Sequence, residues 1–184
     1  METNKMEINL EFLRKFVSRV EPFARQLDTG AYYRIDKPLT DAQLQQHLDG
    51  TKTLGTYVMN EEGNINWICI DIDCEIEDLP LFNMLADFIY DKFPDFERAK
   101  EFSGRRGYHV WLFLDKPDKP KFYRELVISR LLQNGINSKT VEIYPKQNAL
   151  NHTSKGLGNL LKLPFGIHQR SGKRSTLLRY DLKK

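Results

Sequence analysis

WICIDID, residues 67–73, reads as a β-strand in which Trp67, Cys69, Asp71 and Asp73 fall on one face and Ile68, Ile70 and Ile72 on the other. The isoleucine face calls for a covering layer of helices. The other face is apolar at one end and carries two carboxylates at the other. Positions i and i+2 of a strand lie about 6.5–7 Å apart, so two flexible carboxylates can converge on divalent ions about 3.5–4 Å apart. Oxygen-only ligands of this kind suit Mg²⁺ or Mn²⁺. A DxD pair alone is unspecific, because acids at a strand end are often simply solvated. TVEIYPKQ, residues 140–147, offers a third carboxylate, with Val141 and Ile143 on an apolar face and Glu142 opposite.

Working outward, TLGTYVMNEEGNINWICIDID reads as a hairpin of two strands joined by the polar NEEG turn. Upstream, Leu10, Leu13, Phe16, Val17 and Val20 recur at helical spacing, predicting a helix over 6–20 that ends before Pro22. LTDAQLQQHLDG reads as a short helix with Thr40 as N-cap and Gly50 past its end. Downstream, helices are predicted over 79–93 and 120–134, with a strand over 107–114 and the DKPDKPK loop between. The last 35 residues read as loop, short strand, loop. The fold class is therefore α+β, a mostly antiparallel or mixed sheet flanked by helices.

FSGRRGYHVW, residues 102–111, places two arginines between two glycines. A Gly-bounded turn exposes backbone N–H groups, and Ser103, Arg105 and Arg106 add donors, so the turn suits an anion. His109 follows on the strand, sharing a face with Trp111 and Phe113. A hairpin turn beside a core histidine is the plainer reading of this segment taken alone.

At 184 residues the chain fits one domain, burying about 70% of its unfolded surface. Its 40% hydrophobic and 29% charged residues match ordinary globular composition, and no apolar run approaches the roughly 20 residues that span a bilayer. The acidic, polar start differs from a secretory signal, which makes the cytoplasm the expected location, with no membrane partner. Cys69 and Cys74 lack zinc-site spacing and are expected as free thiols in or near the core. The net charge of +3 is uneven: residues 155–184 carry eight Lys/Arg against one Asp, a net of +7, which leaves −4 on residues 1–154. Such a basic end is either a solvated surface or a site for a polyanion.

Taken in order and at these separations, WICIDID, FSGRRGYHVW, VEIYPKQ and GLGNLLKLPFGIH resemble the archaeo-eukaryotic primase superfamily. The resemblance is to the branch of CRISPR-associated primase-polymerases and TOTE conflict system primases, and HLDGTKTLGTYVM extends it. It spans about residues 30–175. It implies an RRM-like catalytic core over about 61–184, preceded by an N-terminal αβ unit over about 1–60. It further implies that Asp71, Asp73 and Glu142 bind two divalent cations, without zinc. Ser103, Arg105, His109 and Lys162 are the implied nucleotide-phosphate contacts, with Lys146 and Gln147 contacting nucleotide or template and His168 either binding nucleotide or serving structure. Arg106, Arg170, Lys173 and Arg174 are expected along the nucleic-acid backbone. Implied substrates are nucleoside triphosphates, a primer and a single-stranded DNA template; a fused or associated helicase, or CRISPR adaptation proteins, are further expected partners. The implied activity is that of a DNA primase-polymerase. Two rivals stand beside it: an RRM-like nucleic-acid-binding module using exposed Trp67 and Trp111, and a metal-dependent nuclease. Tyr57 is either a core tyrosine or a residue near the sugar. His47 is expected in packing or at the surface, and His152 likewise.

Overall fold

Strand periodicity fixes which side chains share a face, but not which strands pair. In the computed structural model, which describes residues 8–137, 140–150 and 156–183, the pairing divides the strands between two antiparallel sheets. Asp71 and Asp73 stand on β4 (Ile65–Asp73), followed by one turn of 3₁₀ helix, Ile76–Asp78, and helix α3 (Leu79–Asp91). Then come β5 (Glu97–Phe102), β6 (Gly107–Asp118), α4 (Pro120–Gln133) and β7 (Glu142–Tyr144). This βαββαβ run pairs in the order β7-β4-β6-β5, and β9 (Thr176–Asp181) extends it beside β5. The order is that of a ferredoxin-like, RRM-like sheet.

The second sheet contains β1 (Phe23–Gln26), β2 (Tyr32–Ile35), β3 (Leu54–Tyr57) and β8 (Leu160–Lys162), in the order β2-β1-β3-β8. The expected hairpin over 53–73 is thereby corrected. The turn itself forms, with Asn60 N–H donating to the Asn64 carbonyl at 2.9 Å, but β3 and β4 enter different sheets. Strand β8 also carries a late segment into the N-terminal unit, so the boundary near residue 60 does not divide the sheets.

Burial explains this arrangement. On the RRM-like sheet, Ile68, Ile70, Ile72, Val110 and Leu112 are buried beneath α3 and α4, whose Ala86, Ile89, Tyr90, Val127 and Leu131 are buried in turn. The opposite face is equally covered. Trp67 and Trp111 are both 0% exposed and cross edge-to-face at 4.7 Å, with Phe16 against Trp111 at 5.0 Å and Phe165 against Phe16 at 5.5 Å. Each ring removes about 150–250 Å² from water, roughly 4–6 kcal/mol of transfer free energy. The binding-module rival needed these tryptophans exposed, and the N-terminal unit has buried them.

Other differences are local. The first helix, α1, spans only Leu10–Arg14, capped by the Asn9 side chain; the apolar repeat continues past it as turns that still seat Phe16 in the core. Helix α2, Asp41–Asp49, has the expected Thr40 cap, as a full capping box, and Gly50 in the left-handed region. Strand β6 runs on through the expected DKPDKPK loop to Asp118, and β5 and β9 were not anticipated. The basic end is partly neutralised by this pairing: Arg179 meets Asp87 at 3.1 Å and Asp91 at 2.8 Å, and Lys183 meets Asp115 at 2.6 Å. Both cysteines are free and buried, as expected. His152 lies outside the described residues. Among the described residues, no helix is long and apolar enough to cross a membrane.

Candidate active site

The covered face of the RRM-like sheet ends in a polar row. Register places Glu142 of β7 opposite Asp71 of β4, Asp71 opposite His109 of β6, and His109 opposite Glu101 of β5. One transverse line across four strands therefore reads Glu142, Asp71, His109, Glu101, and Asp73 lies one step further along β4. The aromatic core stops where this row begins. A cleft of about 280 Å³ opens there, lined by Asp71, Asp73, Ser103, Arg105, Arg106, His109, Lys162 and His168 from the anticipated set. Gln26 and Tyr32 of the second sheet, and Gly30 of the turn between β1 and β2, complete it, contributions that no motif in the sequence marks.

The turn before β6 is shaped by its backbone. Gly104 sits at φ +89°, and a Cβ there would come within 2.9 Å of the Lys173 carbonyl, so both conformation and space select glycine. Ser171 Oγ donates to the Gly104 carbonyl at 2.6 Å, and Ser103 N–H donates to the Gly107 carbonyl at 3.0 Å. This anchors the turn to the late loop that also carries His168.

His109 is 5% exposed, with Nε2 3.5 Å from Asp71 Oδ1 and Nδ1 donating to Glu101 Oε2 at 3.0 Å. Burial alone would lower its pKa, but the Glu101 and Asp71 carboxylates outweigh burial and raise it to about 10. His109 is thus an imidazolium at neutral pH. Lys162, 8% exposed, bonds to Ser175 Oγ at 3.2 Å and faces Glu101 Oε1 at 3.6 Å; burial lowers its pKa against the pull of Glu101. Glu101 is 1% exposed and also accepts from Trp111 Nε1 at 3.0 Å. Burial would raise its pKa, but Lys162 and His109 prevail and hold it at about 2. Burial, then the nearby Lys162 and Arg105 charges, lower the His168 pKa.

The two arginines of the turn differ. Arg106 reaches Glu75 at 3.3 Å and Asp73 at 3.8 Å, two acids of its own chain. Arg105 lines the cleft and makes no ion pair among the described residues. Arg170 lies against Gly30 at the cleft mouth, and Lys173 is exposed. Arg174 is exposed, and its guanidinium donates to the Leu48 and Phe165 carbonyls and braces the loop.

The third acid is less converged than expected. Glu142 bonds to Lys146 at 2.8 Å and to the Tyr144 hydroxyl at 2.9 Å, which lowers its pKa. Glu142 and Lys146 line a separate groove with Arg124, Ile128, Val141 and Ile143, and Gln147 packs against Gly158; Lys146 and Gln147 therefore stand outside the cleft. Among the described residues, no three His, Cys, Asp or Glu side chains gather at metal-holding distance. The donor chemistry nonetheless fits hard divalent cations. Asp71 and Asp73 share one strand face with oxygen donors only, and the Asp73 pKa is raised by burial and then by the crowding charge of Asp71, which a cation would relieve. Glu142, directly across from Asp71, is within side-chain reach of the same place.

Comparisons with known proteins bear on the family and the fold. The chain matches, over residues 14–184, the family described as the TOTE conflict system Archaeo-Eukaryotic Primase domain. Among solved structures, the AEP domain of the cyanophage S-2L primase-polymerase (PrimPol) is similar at a TM-score of 0.53 and 15% identity, covering 94% of this chain and 86% of that one. At that identity the likeness speaks for the fold. No curated protein matches.

Proposed function

The chain belongs to the archaeo-eukaryotic primase domain family of the TOTE conflict system, and from that premise we propose that it is a primase-polymerase. It makes or extends a strand from nucleoside triphosphates along a single-stranded DNA template. The observation that carries this reading is the meeting, in one cleft, of two strand aspartates with Ser103, Arg105, His109, Lys162 and His168. Acids that suit metals thus stand beside donors that suit a triphosphate.

In the reaction a 3′ hydroxyl attacks the α-phosphate, a new P–O bond forms, and pyrophosphate leaves. Divalent cations, Mg²⁺ or Mn²⁺, held by Asp71, Asp73 and Glu142, would supply Lewis-acid activation of the hydroxyl and neutralise charge on the phosphate oxygens. The chain's own work is positioning and electrostatics. The Ser103 hydroxyl, the Arg105 guanidinium, the His109 imidazolium and the Lys162 ammonium hold the β- and γ-phosphates and stabilise charge on the leaving group. Burial of His109 and Lys162 strengthens those contacts by keeping water away. Arg170 and Lys173, exposed cations of the basic end that make no ion pair among the described residues, track the template backbone. A nuclease would share the acids but has no use for a cationic cradle shaped for departing pyrophosphate.

The test is primer extension and de novo synthesis on single-stranded DNA, with Mg²⁺ or Mn²⁺ and ribo- or deoxynucleotide pools. The native chain is expected to synthesise and Asp71→Ala/Asp73→Ala to make no product. Cleavage of the DNA, or binding without synthesis by the native chain, would refute the reading.

A further inference from the structure

Behind the cleft lies an acid that the proposed chemistry does not use. Glu101 is 1% exposed on β5, a strand without any anticipated site residue, and its two oxygens meet three side chains from two other strands, β6 and β8. Oε2 accepts from His109 Nδ1 and from Trp111 Nε1, each at 3.0 Å, while Oε1 faces Lys162 Nζ at 3.6 Å. His109 and Lys162 both line the cleft; Glu101 does not. One carboxylate therefore stands behind both buried cations.

Geometry sets what each contact does. With Nδ1 fixed by Glu101, the imidazole ring cannot turn about its Cβ–Cγ bond, and Nε2 is left pointing towards Asp71 and the cleft. The Trp111 bond fixes the carboxylate itself, and Trp111 is locked in the aromatic core by Trp67 and Phe16. Lys162 arrives from the other sheet on β8, so the same acid also ties the second sheet's contribution to the first. Burying an unpaired carboxylate is costly, so a wholly enclosed acid at this spot is retained only with its cationic partners.

We infer that Glu101 is a positioning residue of the nucleotide cleft, holding His109 and Lys162 from behind so that both present their donors to one triphosphate. The inference rests on the primase-polymerase reading given above. Glu101 touches no substrate and acts through the two cations it holds. A carboxylate backing a histidine in this way fixes ring orientation in hydrolase triads by the same physics.

The test uses Glu101→Gln, which keeps the volume and leaves an amide oxygen for Trp111. Calorimetric binding of a nucleoside triphosphate, with KM and kcat from primer extension, would be compared between the native chain and the variant. Loss of one held, charge-assisted donor is expected to raise Kd and KM about tenfold or more, and kcat to fall as well because the same donors stabilise the leaving group. Binding of primer-template DNA stays unchanged. In the native chain, ¹⁵N-resolved imidazole spectra should show a His109 Nδ1 proton shifted downfield by its carboxylate bond, and the variant should lose that signature. Unchanged Kd and KM in a folded variant, or no downfield Nδ1 proton in the native chain, overturns the inference and leaves the primase-polymerase reading standing. No triphosphate binding by the native chain overturns both.

Discussion

Nε2 of His109 lies 3.5 Å from Oδ1 of Asp71, so a side chain proposed to hold phosphate touches one proposed to hold metal. The contact follows from strand register, because the two residues are direct partners on β4 and β6. Phosphate grip and metal site are thus one construction, and substitutions at the cleft should separate by which half they touch.

Arg105 and Arg106, adjacent in sequence, should behave differently. Arg105→Met removes a guanidinium without an internal ion-pair partner among the described residues, and KM for the nucleoside triphosphate is expected to rise about tenfold or more. Arg106→Met removes a group held by Glu75 and Asp73, and KM is expected to change less than about threefold. Steady-state extension kinetics decide between them, and equal effects would refute the distinction.

Template binding should depend on few cations. Arg174, Arg179 and Lys183 are engaged within the protein, whereas Arg170 and Lys173 face outward. Replacing both by glutamine should lower the slope of log K against log salt for single-stranded DNA by about 1.4, at about 0.7 per phosphate contact. Fluorescence anisotropy across a salt series measures this, and the same change at Arg174 should leave the slope unaltered.

His47 gives the protein an acid limit. Its ring is 0% exposed, with Nε2 donating to the Pro164 carbonyl at 2.9 Å and Nδ1 accepting from Leu54 N–H at 3.0 Å. Burial, then the nearby Lys162 charge, depresses its pKa to about 4, although Glu101 and the carbonyl bonds pull the other way. The unfolded chain binds this proton near pH 6.5, so stability is intact above that pH and falls as pH drops from about 6.5 towards 4, by about 3 kcal/mol. Urea melts of native and His47→Gln proteins across this window should converge at low pH, because glutamine supplies a donor and an acceptor that do not titrate.

Gly166 exists for the same histidine. A Cβ at this position would fall 2.1 Å from His47 Cε1, inside the ring's own volume. Gly166→Ala should destabilise by roughly 3 kcal/mol through overpacking, and His47→Ala in the same chain should recover much of that loss. Additive costs in denaturant melts would show that the two positions are not in contact.

Much of the site could be read from local sequence. Alternation in WICIDID put Asp71 and Asp73 on one face, the glycines of FSGRRG marked the turn, and periodicity placed α3 and α4, because each signal depends only on near neighbours along the chain. The pairing of β3 with β1 and β8 rather than β4, the burial of Trp67 and Trp111, the meeting of Gln26, Gly30 and Tyr32 at the cleft, and the placing of Glu101 behind it were decided in three dimensions. The physical reason is that a strand's period of two names its faces but not its partners. Partners are chosen by which arrangement buries both faces of β4 and β6 at once, and that depends on segments more than 50 residues apart, such as Phe16 against Trp67.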